Sequence, residues 1–192
     1  EDDIRLRKQK ALEKWSESEK EKIEYYKMLQ YFFFKQWRAL KEYANEKGIY
    51  IIGDIPIYVS ADSADLWTNP KQFYVDKDIK PIDVAGCPPD AFTADGQLWG
   101  NPVYNWEYHK KTKYEWWKNR IGHCFKIYDV IRIDHFRGFD EFYCIPFGSE
   151  NAKKGEWRKG PGLDLFKALK NEFGELPIIA EDLGFLTDSV RS

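Results

Sequence analysis

Short apolar segments that each run into an acidic residue recur three times along the chain. They are "IYII" (49–52) before Asp54, "VIRI" (130–133) before Asp134 and "PIIA" (177–180) before Glu181. Segments of this length with apolar residues on both faces are typical of buried parallel strands. We therefore predict three such strands, with Asp134 at the carboxyl end of its strand and Asp54 and Glu181 just past the ends of theirs.

Helix-forming segments separate these strands. The predicted helices span about 4–47, 60–69, 106–128 and 162–174, and another begins at Thr187. This alternation indicates an α/β fold with a parallel sheet covered by helices. Three strands cannot close a barrel of eight, so we expect part of a larger (β/α)8 TIM barrel. No repeat or linker divides the chain, and residues 1–192 are expected to form a single barrel segment.

The stretch 73–102 is rich in Gly, Pro and Asp and has little periodicity, which predicts a long loop. Loops of this length in a compact domain usually carry function. Aromatic residues make up 17% of the chain, and several of them lie in such polar stretches. Exposed aromatic faces stack on flat ligands, including sugars, so we predict a substrate loop here. Another short strand is expected at 142–145.

The composition argues against several classes of partner. Lys and Arg number 30 and Asp and Glu 32, which gives no positive excess for nucleic acid or an acidic membrane surface. No apolar run is long enough to cross a bilayer, and the first ten residues are highly charged. We expect no nucleic-acid or membrane partner and a cytoplasmic protein. Cys87, Cys124 and Cys144 are predicted to be reduced core thiols.

The acidic residues at the strand ends permit two interpretations. Each could cap the turn that follows it, as Asp often does. Alternatively, the carboxyl ends of parallel strands meet at one face, where two carboxylates could act as the nucleophile and the acid of a glycosidase. Arg132 alternates with Asp134, so it would lie on the same face and keep Asp134 ionised. Glu181 would then need a raised pKa to serve as the acid.

His135 directly follows Asp134 and also has two interpretations. A single histidine often makes only a structural hydrogen bond. Next to a catalytic carboxylate it could instead donate a hydrogen bond to a sugar hydroxyl.

Four long motifs resemble a known family. "IIGDIPIYVSADSADLWTNP", "VAGCPPDAFTADGQLWGNPVYNW", "YDVIRIDHFRGFDEF" and "LPIIAEDLG" closely resemble the 4-α-glucanotransferases called amylomaltases or disproportionating enzymes, of the α-amylase clan. The resemblance runs nearly from end to end, in the family's order and spacing. It implies an α-amylase-type barrel, with Asp134 as the catalytic nucleophile and Glu181 as the general acid/base.

The resemblance also implies which residues contact the substrate, and it shows which catalytic residue of the family this sequence lacks. The residues that it places along the glucan groove are Asp54, Tyr58, Asp90, Gln97, Trp99, Asn101, Arg132 and His135. The family's third carboxylate, an aspartate in a His-Asp pair on a later strand, does not follow Glu181 here. We therefore expect the chain to be the central segment of a longer enzyme that could be inactive alone.

The function implied by the resemblance is transfer of α-1,4-glucan segments with retention of configuration. The partners would be maltooligosaccharides, amylose or glycogen-type glucans, with no metal or organic cofactor. The cytoplasm is the expected compartment, or the plastid if the source is a plant. Two alternatives stay open: an α-glucan hydrolase that uses the same carboxylates, and a non-catalytic glucan-binding fragment.

Overall fold

The computed structural model describes residues 2–91 and 93–181. Its helices are α1 (Asp2–Arg5), α2 (Gln9–Ser18), α3 (Lys20–Glu46), α4 (Ala64–Thr68), α5 (Trp106–Lys111), α6 (Glu115–Ile127) and α7 (Leu163–Phe173). Its strands are β1 (Ile52–Pro56), β2 (Asp83–Cys87), β3 (Gln97–Pro102), β4 (Val130–Asp134), β5 (Glu141–Pro146), β6 (Glu156–Lys159) and β7 (Ile178–Ala180). The helix predicted from Thr187 lies outside the described residues.

The predicted parallel sheet is present, with β4 between β1 and β7. Both neighbours of β4 run parallel to it, and Asp54 on β1 pairs with Arg132 on β4. The prediction that Asp54 lies past its strand was wrong, because β1 begins at Ile52 and Asp54 lies within it. Residues 49–51 precede the strand because their N–H groups bond to other partners. The Ile49 N–H donates to Ala44 O at the end of α3, and the Ile51 N–H donates to the Asp129 carboxylate.

A second sheet is antiparallel, with the strand order β3-β2-β5-β6. It corrects the prediction of a long loop at 73–102, since β2 and β3 both lie in that stretch. Gly and Pro weaken the strand signal of these two segments, and pairing with β5 supplies the missing stabilisation. Gly86 lets β3 approach closely, because a Cβ there would collide with the Gln97 carbonyl.

The helices match the prediction with three changes. The N-terminal helical segment is divided at Arg7 and Glu19, and the helix predicted over 106–128 is divided where Lys113 and Tyr114 take positive φ. In α7 the buried residues are Leu165 and Leu169. Leu163, at the first position of this helix, is 62% exposed. The helix predicted over 60–69 is shorter and spans Ala64–Thr68. No helix within residues 2–91 and 93–181 is long and apolar enough to span a bilayer.

The main core lies between the parallel sheet and the helices that cover it. Ile131 and Ile133 of β4 pack there with Trp117 and Ile121 of α6, all with at most 1% of their surface exposed. The three cysteines are free thiols. Cys124 and Cys144 are buried, as predicted, whereas Cys87 is only half-buried and does not belong to the core.

Candidate active site

The side chain of Arg132 joins all three predicted carboxylates. Its Nη1 lies 2.7 Å from Asp54 Oδ1 and 3.6 Å from Asp134 Oδ1, and its Nη2 lies 2.6 Å from Glu181 Oε1. The pairing of the strands explains this arrangement. Asp54 and Arg132 are partners across β1 and β4, Asp134 lies two residues further on the same face, and Glu181 directly follows β7.

Glu181 is also held by the main chain of β4. Its Oε2 accepts a hydrogen bond from the His135 N–H at 2.7 Å, and its own N–H donates to Ile133 O at 3.1 Å. His135 has a left-handed backbone conformation, with φ 52° and ψ 46°, which is uncommon for a residue other than glycine. This conformation leaves the His135 N–H directed at the carboxylate rather than into the strand ladder.

Asp134 and Glu181 influence each other's ionisation, and their pKa values move in opposite directions. Burial, followed by the proximity of Glu181, raises the pKa of Asp134 although Arg132 opposes the change. The hydrogen bond from the His135 N–H is the main cause that lowers the pKa of Glu181. These directions are opposite to those expected for an ionised nucleophile and a protonated acid, so the roles of Asp134 and Glu181 stay predictions.

A cavity of about 360 Å³ opens beside Asp134. It is lined by Pro56, Ile57, Tyr58, Trp99, Asn101, Asp134 and His135. A larger cavity of about 510 Å³ lies between α3 and α6, but residues of the carboxylate cluster do not line it. Volume alone therefore does not identify the site, whereas the carboxylate cluster does.

The wall of the cavity is aromatic. The Trp99 ring lies edge-on to the His135 ring with centroids 4.8 Å apart, and the Tyr58 ring lies 6.3 Å from Trp99. Burial raises the pKa of Tyr58 and, aided by Arg137, lowers the pKa of His135, which favours the uncharged form of both rings. His135 Nε2 is buried and makes no hydrogen bond to any residue that the structure describes. Because this atom has almost no accessible surface, a hydroxyl group in the cavity would reach it only after the His135 ring or its neighbours move.

Three predicted contact residues have partners within the protein. The Asn101 amide donates to Val59 O at 2.9 Å, although Asn101 also lines the cavity. Gln97 Oε1 accepts from Trp99 Nε1 at 2.9 Å, and Asp90 Oδ1 accepts from the Thr93 N–H at 2.8 Å. Gln97 and Asp90 do not line the cavity. The other eight of the ten predicted site residues lie either in the cavity wall or in the cluster around Arg132.

Two cavity residues were missed from sequence, namely Pro56 and Ile57. Both belong to the segment that leaves the end of β1 and leads to Tyr58. Their position at the carboxyl end of a strand of the parallel sheet was the available signal, because ligand sites gather there.

Comparison with known proteins gives a consistent result. A family model described as 4-alpha-glucanotransferase matches residues 1–192. The chain is 56% identical over 188 residues to a 4-alpha-glucanotransferase of Streptococcus pneumoniae, covering 98% of this chain and 37% of that protein. It is 52% identical over 187 residues to one of Clostridium butyricum, covering 97% of this chain and 38% of that protein.

A solved structure supports the fold. The amylomaltase from Streptococcus agalactiae, in complex with acarbose, superposes with a TM-score of 0.96 at 49% identity. The match covers 100% of this chain and 39% of that one. The chain thus spans less than two fifths of the length of the relatives that it matches, and it has the α/β fold of part of an amylomaltase barrel, as predicted.

Proposed function

This chain belongs to the 4-alpha-glucanotransferase family, and from that premise we propose that it supplies the nucleophile and the acid/base of a 4-α-glucanotransferase. The protein would transfer α-1,4-glucan segments from a donor to an acceptor glucan, with maltooligosaccharides, amylose or glycogen-type glucans as substrates. The observation that supports this most strongly is the attachment of Asp134 and Glu181 to one guanidinium beside an aromatic cavity.

In the first half-reaction, an Asp134 oxygen forms a bond to the anomeric carbon of the donor. The glycosidic C–O bond breaks, its electron pair goes to the leaving oxygen, and that oxygen takes the proton of Glu181. In the second half-reaction, Glu181 accepts the proton of an acceptor 4-hydroxyl, whose oxygen displaces Asp134. Two inversions at the same carbon retain the configuration.

The proposed roles require Glu181 to change its contacts. Carboxyl groups of retaining enzymes stand about 5–5.5 Å apart with the sugar between them, whereas Glu181 is held here by Arg132 Nη2 and the His135 N–H. A sugar ring that enters between them would separate the two groups. Its glycosidic oxygen would then receive the proton from Glu181, while Arg132 would stabilise the ionised Asp134.

The cavity supplies groups suited to a sugar ring. Tyr58 and Trp99 offer apolar faces, and His135 would offer its unpaired Nε2 to a hydroxyl group after a rotation of its ring. Asp54, exposed on the other side of Arg132, would accept a second hydroxyl. We propose that Gln97 acts by holding the Trp99 indole and that Asp90 acts by holding the turn at Thr93.

The compartment is also a proposal. Free thiols at all three cysteines fit a reducing environment, such as the cytoplasm or, for a plant protein, the plastid.

Product analysis with maltotriose tests the proposed function. The complete gene product that carries these residues should convert maltotriose into glucose and a ladder of longer maltooligosaccharides. Asp134→Asn, with the same thermal unfolding curve, should form less than about a thousandth of these products, as expected for loss of a nucleophile. Shorter sugars alone would show a hydrolase, and acarbose binding with unchanged maltotriose would show a glucan-binding protein.

A further inference from the structure

The wall of the cavity depends on a short segment, Pro56–Val59, that leaves the parallel sheet at the end of β1. This segment supplies three of the residues that line the cavity, Pro56, Ile57 and Tyr58. Because it links β1 to the turn before α4, its position depends on contacts from other parts of the fold.

Side chains from separate elements donate hydrogen bonds to the carbonyls of this segment. Arg120 Nη2 lies 2.6 Å from Pro56 O, and Arg120 Nη1 lies 2.9 Å from Ile57 O. The Tyr104 hydroxyl donates to the same Ile57 O at 2.6 Å. Hydrogen bonds from a charged donor are stronger than neutral ones, so Arg120 is the dominant restraint on this segment.

Arg120 is itself held in an aromatic setting on α6. Its guanidinium carbon lies 5.0 Å from the Trp117 ring centroid and 5.5 Å from that of Trp116. Its Nη1 lies 3.3 Å from the Tyr104 hydroxyl. Within the described residues all of its hydrogen bonds go to main-chain carbonyls and this hydroxyl, rather than to a carboxylate. Such a set of partners fixes a backbone position instead of balancing a charge.

The same contacts reach the sugar-facing ring of Tyr58. That ring stacks on Tyr104 with centroids 5.9 Å apart and an interplanar angle of 19°. Tyr104 therefore connects Arg120 both to the main chain that carries Tyr58 and to the face of the Tyr58 ring. Arg120 does not line the cavity, so any effect on a ligand passes through these residues.

We propose that Arg120 is a positioning residue for glucan binding, which acts by fixing Pro56–Val59 and thereby the Tyr58 ring against Trp99 and His135. This inference rests on the proposed function of the site. It assigns Arg120 to binding rather than to chemistry, because the carboxylates are held by Arg132 on other strands. Loss of the two hydrogen bonds from the Arg120 guanidinium to Pro56 O and Ile57 O should therefore change KM more than kcat.

The test compares Arg120→Lys with Arg158→Lys in the complete gene product. Arg158 is a matched control, because it is also partly buried and its two Nη atoms form ion pairs with Asp83 and Glu156. It does not line the cavity. Arg120→Lys should weaken acarbose binding in calorimetry about tenfold and raise KM for maltotriose about tenfold, with kcat within about threefold of wild type. These factors correspond to loss of about one charged hydrogen bond. Arg158→Lys should change neither quantity.

A second variant, Tyr104→Phe, tests the same inference if Arg120→Lys folds poorly. Tyr104→Phe keeps the stacked ring but removes one donor to Ile57 O, and should weaken acarbose binding about threefold. Unchanged acarbose affinity in Arg120→Lys and Tyr104→Phe, or equal losses in Arg120→Lys and Arg158→Lys at matched Tm, would overturn the inference. Acarbose affinity decides this question even if maltotriose gives no longer sugars, an outcome that would overturn only the proposed function.

Discussion

Arg132 and Glu181 form the shortest ion pair of the carboxylate cluster, with Nη2 and Oε1 2.6 Å apart. The other arm of the same guanidinium lies 2.7 Å from Asp54. One cation therefore lies among three carboxyl groups, and the proximity of Glu181 contributes to the raised pKa of Asp134. The contacts of Arg132 thus determine the charge of the whole cluster.

Replacement of Arg132 should strongly impair transfer. Arg132→Gln removes the charge that stabilises an ionised Asp134, and we expect kcat/KM for maltotriose to fall about 100- to 1000-fold, as for loss of a preorganised electrostatic contact. Steady-state kinetics with unfolding curves checks this. Lys110→Gln, which breaks an exposed pair with Asp164, should leave kcat/KM unchanged. Retention of more than a third of wild-type kcat/KM by Arg132→Gln would contradict this role.

The coupling between Asp134 and Glu181 should be visible by NMR titration. In protein labelled at the aspartate carboxyl carbon, Asp134 should titrate above its usual range, because burial and Glu181 raise its pKa. As the pH falls from neutral, the pair should take its first proton on Asp134. In Glu181→Gln the pKa of Asp134 should decrease, since a neighbouring carboxylate has been removed.

Asp129 is the internal control for this titration. Hydrogen bonds from Ile51, Asn45 and Lys41 lower its pKa against the effect of its burial. None of these partners belongs to the Arg132 cluster, so Glu181→Gln should not shift the Asp129 titration. An Asp134 titration that is the same in both proteins would show that the two carboxyl groups are not coupled.

His109 should make the stability of the fold depend on pH. It is fully buried, and burial lowers its pKa to about 4 although a hydrogen bond with Gln72 O opposes the change. Between pH 6.5 and 4 the unfolded chain binds a proton that the folded chain does not. The free energy of unfolding should therefore decrease as the pH falls through this range, by about 3 kcal/mol in total.

Urea unfolding at several pH values checks the His109 prediction. The variant His109→Gln lacks this titration, so the difference in unfolding free energy between wild type and variant should shrink from pH 7 to pH 4. Other titrating groups are common to both proteins and cancel. A constant difference across this range would mean that His109 does not titrate differently on folding.

The residues of the carboxylate cluster could be predicted from sequence for a simple reason. Asp134 and Glu181 follow apolar segments directly, and Arg132 alternates with Asp134, so periodicity alone predicts a common face. The direction of their pKa shifts could not be predicted. It depends on the left-handed conformation of His135, whose N–H reaches a carboxylate 46 residues away.

The antiparallel sheet illustrates a second limit. Gly86, Gly100 and Pro102 lie in β2 and β3, and such residues indicate loops when a segment is considered alone. Only contact with β5 and β6 makes these segments strands. The same limit applies to the start of β1, where the Ile51 N–H donates a hydrogen bond to the carboxylate of Asp129, which is 78 residues away in sequence. Local sequence carries no information on either long-range contact.

The identity of the nucleophile can be tested by trapping the glycosyl-enzyme. In Glu181→Gln the first step can proceed with α-maltosyl fluoride, whose leaving group needs no acid, whereas the second step lacks its base. The intermediate should accumulate, and peptide mass spectrometry should find one maltosyl group on Asp134. The double variant Asp134→Asn/Glu181→Gln should carry none. A maltosyl group on Asp54 or another residue, or fluoride release without an adduct, would contradict the assignment of Asp134.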